Sequence, residues 1–139
     1  RPLLNPELTG AAGEHVACSY LIRNGWRSVI LNAEAFDIVS VKKDKSLRVQ
    51  VKSTGQLSKQ NSYQWSISTG GRNTKSAIEL GACDLIALVA LDINKVMFLT
   101  VPDLKRQVTM RKKQDVMMAK DLERDTLERA LQLISSSAL

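Results

Sequence analysis

Asp37, Gln50 and Lys52 are the residues of this chain whose types and spacing could do chemistry. They fall on two runs with strand character, residues 36–41 and 47–53. In the second run Leu47, Val49 and Val51 alternate with Arg48, Gln50 and Lys52, the period of a strand with one buried face. Gln50 and Lys52 therefore share a face. The polar stretch Lys43-Asp44-Lys45-Ser46 can turn the chain between the runs, so they pair as a hairpin that brings Asp37 to Gln50 and Lys52. One carboxylate, one neutral oxygen ligand and one fixed cation suit metal-assisted cleavage of a phosphodiester.

The elements that must position these residues form an α/β alternation. Thr9 can cap a first helix that runs through about Asn24 and ends at Gly25, with Val16, Ala17, Tyr20 and Leu21 as its apolar stripe. Gly10, Ala11, Ala12 and Gly13 are small, which lets that end of the helix approach a sheet. Glu14 sits beside them and can carry a second acid to the site, although an acid early in a helix is also favoured by the helix dipole alone. The two prolines among residues 1–6 read as an irregular arm. Further strands are expected at residues 28–31, 63–69, 82–91 and 95–100. An amphipathic helix is expected at about 121–134, with Leu127, Ala130, Leu131 and Ile134 on one face.

At 139 residues the chain fits one domain with one core. No apolar run is long enough to span a bilayer, and the start lacks a signal-peptide core, so a cytoplasmic protein is expected, bacterial or phage-encoded. Cys18 and Cys83 are too few for a disulfide framework and read as reduced, buried thiols. The net charge is +6. From Lys42 to Lys75 eight bases, among them Lys59, Arg72 and Lys75, face one acid, Asp44; a second basic group spans Lys105 to Lys113. Such an excess beside a phosphodiester site suits a polyanion, because neutralising phosphates releases counterions. With two Trp, two Tyr and two Phe, the chain has few rings on which to stack single-stranded bases, so duplex DNA is the expected partner.

The order Gly10-x-x-Gly13-Glu14, Phe36-Asp37 and, after a twelve-residue gap, Gln50-Val51-Lys52 resembles the PD-(D/E)XK nuclease superfamily. Within it the chain is similar to the group I intron-encoded homing endonuclease branch known from cyanobacteria, which has an early helical Glu and Gln in place of the usual third acid. The resemblance covers residues 8–102, with the basic segment and final helix at 103–139 outside it. It implies an α/β, restriction-endonuclease-like fold: a mixed sheet flanked by helices. Two departures stand out. Phe36 replaces the proline that names the motif, and Gln50 gives a metal one less negative charge than the usual acid.

The resemblance further implies a Mg²⁺-dependent endonuclease acting on duplex DNA at specific sites, with Mn²⁺ able to substitute. Glu14, Asp37 and the main-chain carbonyl of Val51 or Gln50 would hold the metal, and Lys52 would orient or deprotonate the attacking water. Ser53 and Thr54 are candidates for contact with the DNA backbone, as are Lys59, Arg72 and Lys75. A Holliday-junction resolvase, a restriction or repair nuclease, or an inactive DNA-binding protein of this fold are the alternatives. The single histidine, His15, excludes HNH and His-Cys box nucleases, and no LAGLIDADG or GIY-YIG signature is present. Cutting both strands needs two active sites, so a homodimer or homotetramer is expected, with the apolar face of the final helix as a candidate interface that could equally pack within the chain.

Overall fold

The first helix begins earlier than Thr9. The computed structural model, which describes residues 4–69 and 76–137, places α1 at Pro6–Arg23. Asn5 is the cap, its side-chain oxygen accepting from Leu8 N at 2.8 Å. Pro6 holds the first helical position, where its missing N–H costs nothing and its fixed φ suits the helix. A cap of this kind contributes about 1 kcal/mol. The second proline of the supposed arm is thus the start of the helix. The helix stops at Asn24, and Gly25 follows at φ +94°, a backbone region that disfavours side chains.

A five-stranded mixed sheet lies against α1, in the order β1-β2-β3-β7-β8. Its strands are β1 (Arg27–Ile30), β2 (Ile38–Lys42), β3 (Lys45–Thr54), β7 (Leu85–Ala90) and β8 (Lys95–Leu99). β2 and β3 form the expected antiparallel hairpin, with Ile38 opposite Val49 and the turn reduced to Lys43-Asp44. β3 then pairs in parallel with β7, Val49 opposite Leu85. Asp84 pins that register. Its N–H donates to Arg48 O (2.9 Å), while its carboxylate accepts from Arg48 N (2.8 Å) and from the guanidinium.

Each face of the sheet has its own core. Leu47, Val49 and Val51 of β3, with Leu85, Ala87 and Val89 of β7, pack on Ala17, Cys18 and Leu21 of α1. Ile86 and Leu88 point the other way, onto Tyr63 and Trp65. β7 is buried along its whole length, as a central strand covered on both faces must be.

The second face is covered by an element the sequence reading did not foresee. The expected strand at 63–69 divides into β4 (Ser62–Ser66) and β5 (Ser68–Thr69), and neither joins the main sheet. β4 pairs with β9 (Thr109–Lys113), which comes from the second basic stretch, and β5 pairs with β6 (Ser76–Ala77). The segment from β4 to β5 crosses the sheet: Tyr63 OH donates to Asp92 (3.1 Å), Trp65 Nε1 donates to Val89 O (2.9 Å), and Ser68 O accepts from Lys52 Nζ (3.4 Å).

After the short α2 (Gln114–Met117), α3 (Leu122–Ser137) closes the edge of β8. The outward N–H groups of Val96 and Phe98 donate to Glu123 Oε2 (3.2 Å) and Thr126 Oγ1 (3.0 Å), so these edge donors are satisfied by side chains. Leu127 and Ala130 are buried against the first core, with Leu131 and Ile134 packed beside them. The apolar face of the final helix therefore packs within the chain and is not a free interface.

Candidate active site

Asp37 stands just before the start of β2, where β3 runs on past it. Its backbone N–H donates to Val49 O (2.8 Å), and its carbonyl accepts from Leu31 N (2.8 Å) and Asn32 N (3.3 Å). Its carboxylate oxygen Oδ2 accepts from Val51 N at 2.8 Å, taking the ladder position that β2 leaves empty. Asp37 is half-buried, not the surface acid that a hairpin end suggests. Along a strand, a residue's N–H and C=O point to the same side. Arg48 O faces β7, where it accepts from Asp84 N; Val51, three residues on, has the opposite orientation, and its carbonyl faces Asp37. That alternation singles out Val51 over Gln50 as the main-chain oxygen nearest the acid.

Glu14 reaches the same place from α1 because Gly13 lets the helix touch the sheet. A Cβ on Gly13 would overlap Ser53 Oγ and come within 2.7 Å of Ser53 Cβ. Gly10 meets nothing within 4 Å and plays no such part. The Ser53 hydroxyl lies buried under α1, without a hydrogen-bond partner among the described residues, so it is not placed to touch DNA.

The carboxyl groups of Glu14 and Asp37 lie close enough to act on each other, and both are pushed above the ordinary carboxylate range. For Glu14 burial is the larger cause and the negative charge of Asp37 the second. For Asp37 burial outweighs the Val51 N–H and the Lys52 ammonium, which favour the charged form. Lys52 is pushed below the ordinary lysine range by burial, with the charge of Asp37 opposing. Two like charges held close and partly out of water create a local demand for positive charge. Among the described residues no three His, Cys, Asp or Glu side chains converge, so further donors to a metal here would be neutral oxygens.

Three of the expected site residues, Glu14, Asp37 and Lys52, are therefore brought together. Gln50 shares the face of Lys52 and is half-buried, and its side chain has no hydrogen bond among the described residues. Lys59 is exposed on the turn between β3 and β4, and Arg72 and Lys75 lie outside the described residues. His15 is exposed, with Nδ1 at 2.9 Å from Ala11 O. The Thr54 hydroxyl donates to Gln56 O (3.4 Å). The basic excess is also smaller than its count. Arg48 is bound to Asp84, and Lys42 lies 5.7 Å over the Trp26 ring while donating to Asn24 O (3.3 Å).

Sequence reasoning missed Asn32. It sits at φ 54°, a left-handed conformation that Asn tolerates better than most residues, and its amide nitrogen donates to both Glu14 carboxylate oxygens (3.0 and 3.2 Å). The orientation of the amide follows from hydrogen-bond chemistry, since a carboxylate needs a donor. The only sequence signal was an Asn directly after a strand.

Neither a known protein family nor a curated protein matches the chain. Solved structures do. The bacterial homing endonuclease I-Ssp6803I superposes with a TM-score of 0.71 at 14% identity, over 98% of this chain and 99% of that one. The Holliday junction resolvase Hjc from the archaeal hyperthermophile Archaeoglobus fulgidus gives 0.51 at 18% identity, over 78% and 86%. The first likeness extends past residues 8–102 to include the final helix. With the helix, hairpin and central parallel strand in this order, the chain shares the restriction-endonuclease-like fold of these two structures.

Proposed function

We propose that this protein is a metal-dependent endonuclease that hydrolyses phosphodiester bonds in duplex DNA. The observation that carries the reading is the convergence of Glu14, Asp37 and Lys52 beside the start of β2. The donor set is all oxygen and the two acids repel, which fits a hard divalent cation such as Mg²⁺, with Mn²⁺ as a substitute. Asp37, Glu14 and the Val51 carbonyl would hold it. When bound, such a cation polarises the phosphate and acidifies a coordinated water.

The protein's own groups do the rest. The Val51 N–H fixes one Asp37 oxygen, which sets the direction in which the carboxylate faces. Asn32 holds the Glu14 carboxylate in place. Lys52, whose burial eases loss of its proton, can take a proton from water or, charged, offset negative charge on the phosphoryl oxygens. Lys59, Arg72 and Lys75 would contact phosphates outside the site. Duplex is favoured over single-stranded substrate because Trp26, Trp65, Tyr63 and Phe98 are buried and Tyr20 and Phe36 are partly buried against the two cores, which leaves bases little stacking platform.

Site-specific cutting of both strands in the homing manner requires two copies of this one-site domain. Incubation of supercoiled plasmid, linear duplex and a four-way junction with the protein and Mg²⁺, with an EDTA control, tests the reading. Nicking or linearisation of plasmid that EDTA stops is the expected result. Cutting confined to the junction would make the enzyme a resolvase, and no cutting of any substrate would leave an inactive binding fold. Sedimentation with and without DNA should show a dimer or larger species.

A further inference from the structure

The β4–β9 ribbon turns two chemically opposite faces to its surroundings. Inward, Tyr63 and Trp65 of β4 and Met110 of β9 are buried in the second core, and the half-buried Lys112 stands opposite Tyr63 on that side. Outward, opposed residues share a face, and the pairs are Ser62 with Lys113, Gln64 with Arg111, and Ser66 with Thr109. All six are polar, two are cations, and neither strand contains an acid. Arg111, Lys113 and Ser66 are exposed. Gln64, Arg111 and Thr109 have no side-chain hydrogen bond among the described residues, and the Ser62 hydroxyl only donates locally to Gln60 O (3.3 Å).

Resting on the nuclease reading above, we propose that this outward face is the base-reading surface, entering the major groove of the duplex beside the cleaved bond. A two-stranded ribbon fits that groove, and the side chains presented are those able to read base edges there: Arg for guanine, Gln for adenine, Thr for the thymine methyl. Gln64 and Arg111 are direct cross-strand neighbours, so they can address adjoining base pairs. Cations flank the face at both ends, where phosphates would pass. Lys59 lies on the turn that leads into Ser62, and the exposed Lys105 and Arg106 stand on the turn that leads into β9.

Continuity with the candidate active site sets the register. The ribbon pairing continues past Ser66 in the bond from Ile67 N to Val108 O (3.0 Å), and the next residue, Ser68, accepts from Lys52. The ribbon thus starts within one lysine side chain of the candidate site. Five residues of strand extend about 17 Å, so the face would read up to about five base pairs from the scissile phosphate.

The test is selection from a randomised duplex pool held without Mg²⁺, followed by cleavage of the winning sequence with Mg²⁺. The wild-type chain is compared with Gln64→Ala, Arg111→Ala, Arg111→Lys and Lys113→Ala. Loss of preference at one or two positions near the cut, by about tenfold or more for the Gln64 and Arg111 variants, is expected, with cleavage chemistry retained. Arg111→Lys keeps the charge and loses the two-pronged contact, so it should relax preference while holding affinity. Lys113→Ala should weaken all sequences alike. An unchanged preference in the Gln64 and Arg111 variants, or an equal loss of affinity across sequences, would overturn the ribbon's role while the nuclease reading stood. If the wild-type chain bound and cut no DNA, both would fall.

Discussion

The Asp37 carboxylate and the Val51 amide are joined by a 2.8 Å hydrogen bond that crosses from the end of one strand to the middle of the next. The acid is therefore fixed to the backbone one residue before Lys52, and removing its side chain leaves a strand N–H without its partner. An alanine at position 37 would cost stability as well as charge, about 1–3 kcal/mol for the orphaned donor. Asparagine keeps the acceptor and removes only the charge, so it is the informative substitution.

Asn32 should matter through Glu14. Asn32→Gly keeps the left-handed backbone and removes the amide, so the fold should hold while Mg²⁺-supported cleavage drops about tenfold. Asn32→Ala would add left-handed strain of about 1 kcal/mol. Titration of Mg²⁺ against cleavage rate checks this, with a higher half-saturating concentration expected. An unchanged metal dependence in the glycine variant would show that Glu14 needs no such support.

Gly13→Ala should push α1 away from β3 and destabilise the chain by about 1–3 kcal/mol, the range for overpacking. Ser53→Gly removes both atoms that the new methyl would meet. Urea unfolding of the two single variants and the double variant forms a cycle, and the double should recover part of the loss. Additive losses would mean that the contact is not what requires glycine.

Much of this site was legible because β3 alternates strictly and the hairpin is local. Leu47, Val49 and Val51 went to one core while Gln50 and Lys52 went to the other face, as the period of two requires. What stayed hidden depends on distant partners. β9 has one buried apolar residue, Met110, in a run of Thr109, Arg111, Lys112 and Lys113, and becomes a strand only because β4 lies beside it. Arg48 and Lys42 counted as free bases until Asp84 and Trp26 appeared next to them. Asn5 and Thr9 are both good caps; Pro6, acceptable at the first position and costly further in, was the clue that favoured Asn5.

Acid should loosen the contact of α3 with the rest of the chain. Asp103 accepts from both terminal nitrogens of the Arg129 guanidinium (2.9 and 2.8 Å) and from Thr100 N (2.8 Å), and with Arg129 as the largest cause its pKa falls to about 2. Because the folded value lies below the unfolded one, this stabilisation is complete above about pH 4 and is lost as pH falls through about 2. Arg129 is half exposed, so solvent screening limits the effect to roughly 1 kcal/mol. Asp103→Asn should cost that amount at pH 7 and little at pH 2, read from urea midpoints. An equal cost at both pH values would contradict the assignment.

Both thiols should be inert in the folded chain. Cys83 is pushed up to about 11, by burial first and the Asp84 charge second, and Cys18 is raised by burial. For Cys83 two units above the ordinary value leave about a hundredfold less thiolate. Ellman's reagent at pH 8 should label both residues quickly in denaturant and slowly without it. Rapid labelling of Cys83 in the native protein would show that the layer under Gln50 opens.

Cleavage of supercoiled plasmid by Asp37→Asn, beside wild type in Mg²⁺ and at matched folding by circular dichroism, tests the central claim most directly. Wild type should nick or linearise the plasmid, and the variant should be slower by about a thousandfold or more, with no loss of duplex binding. Cleavage by the variant at the wild-type rate would contradict the assignment of Asp37, and with it the site built around Glu14 and Lys52.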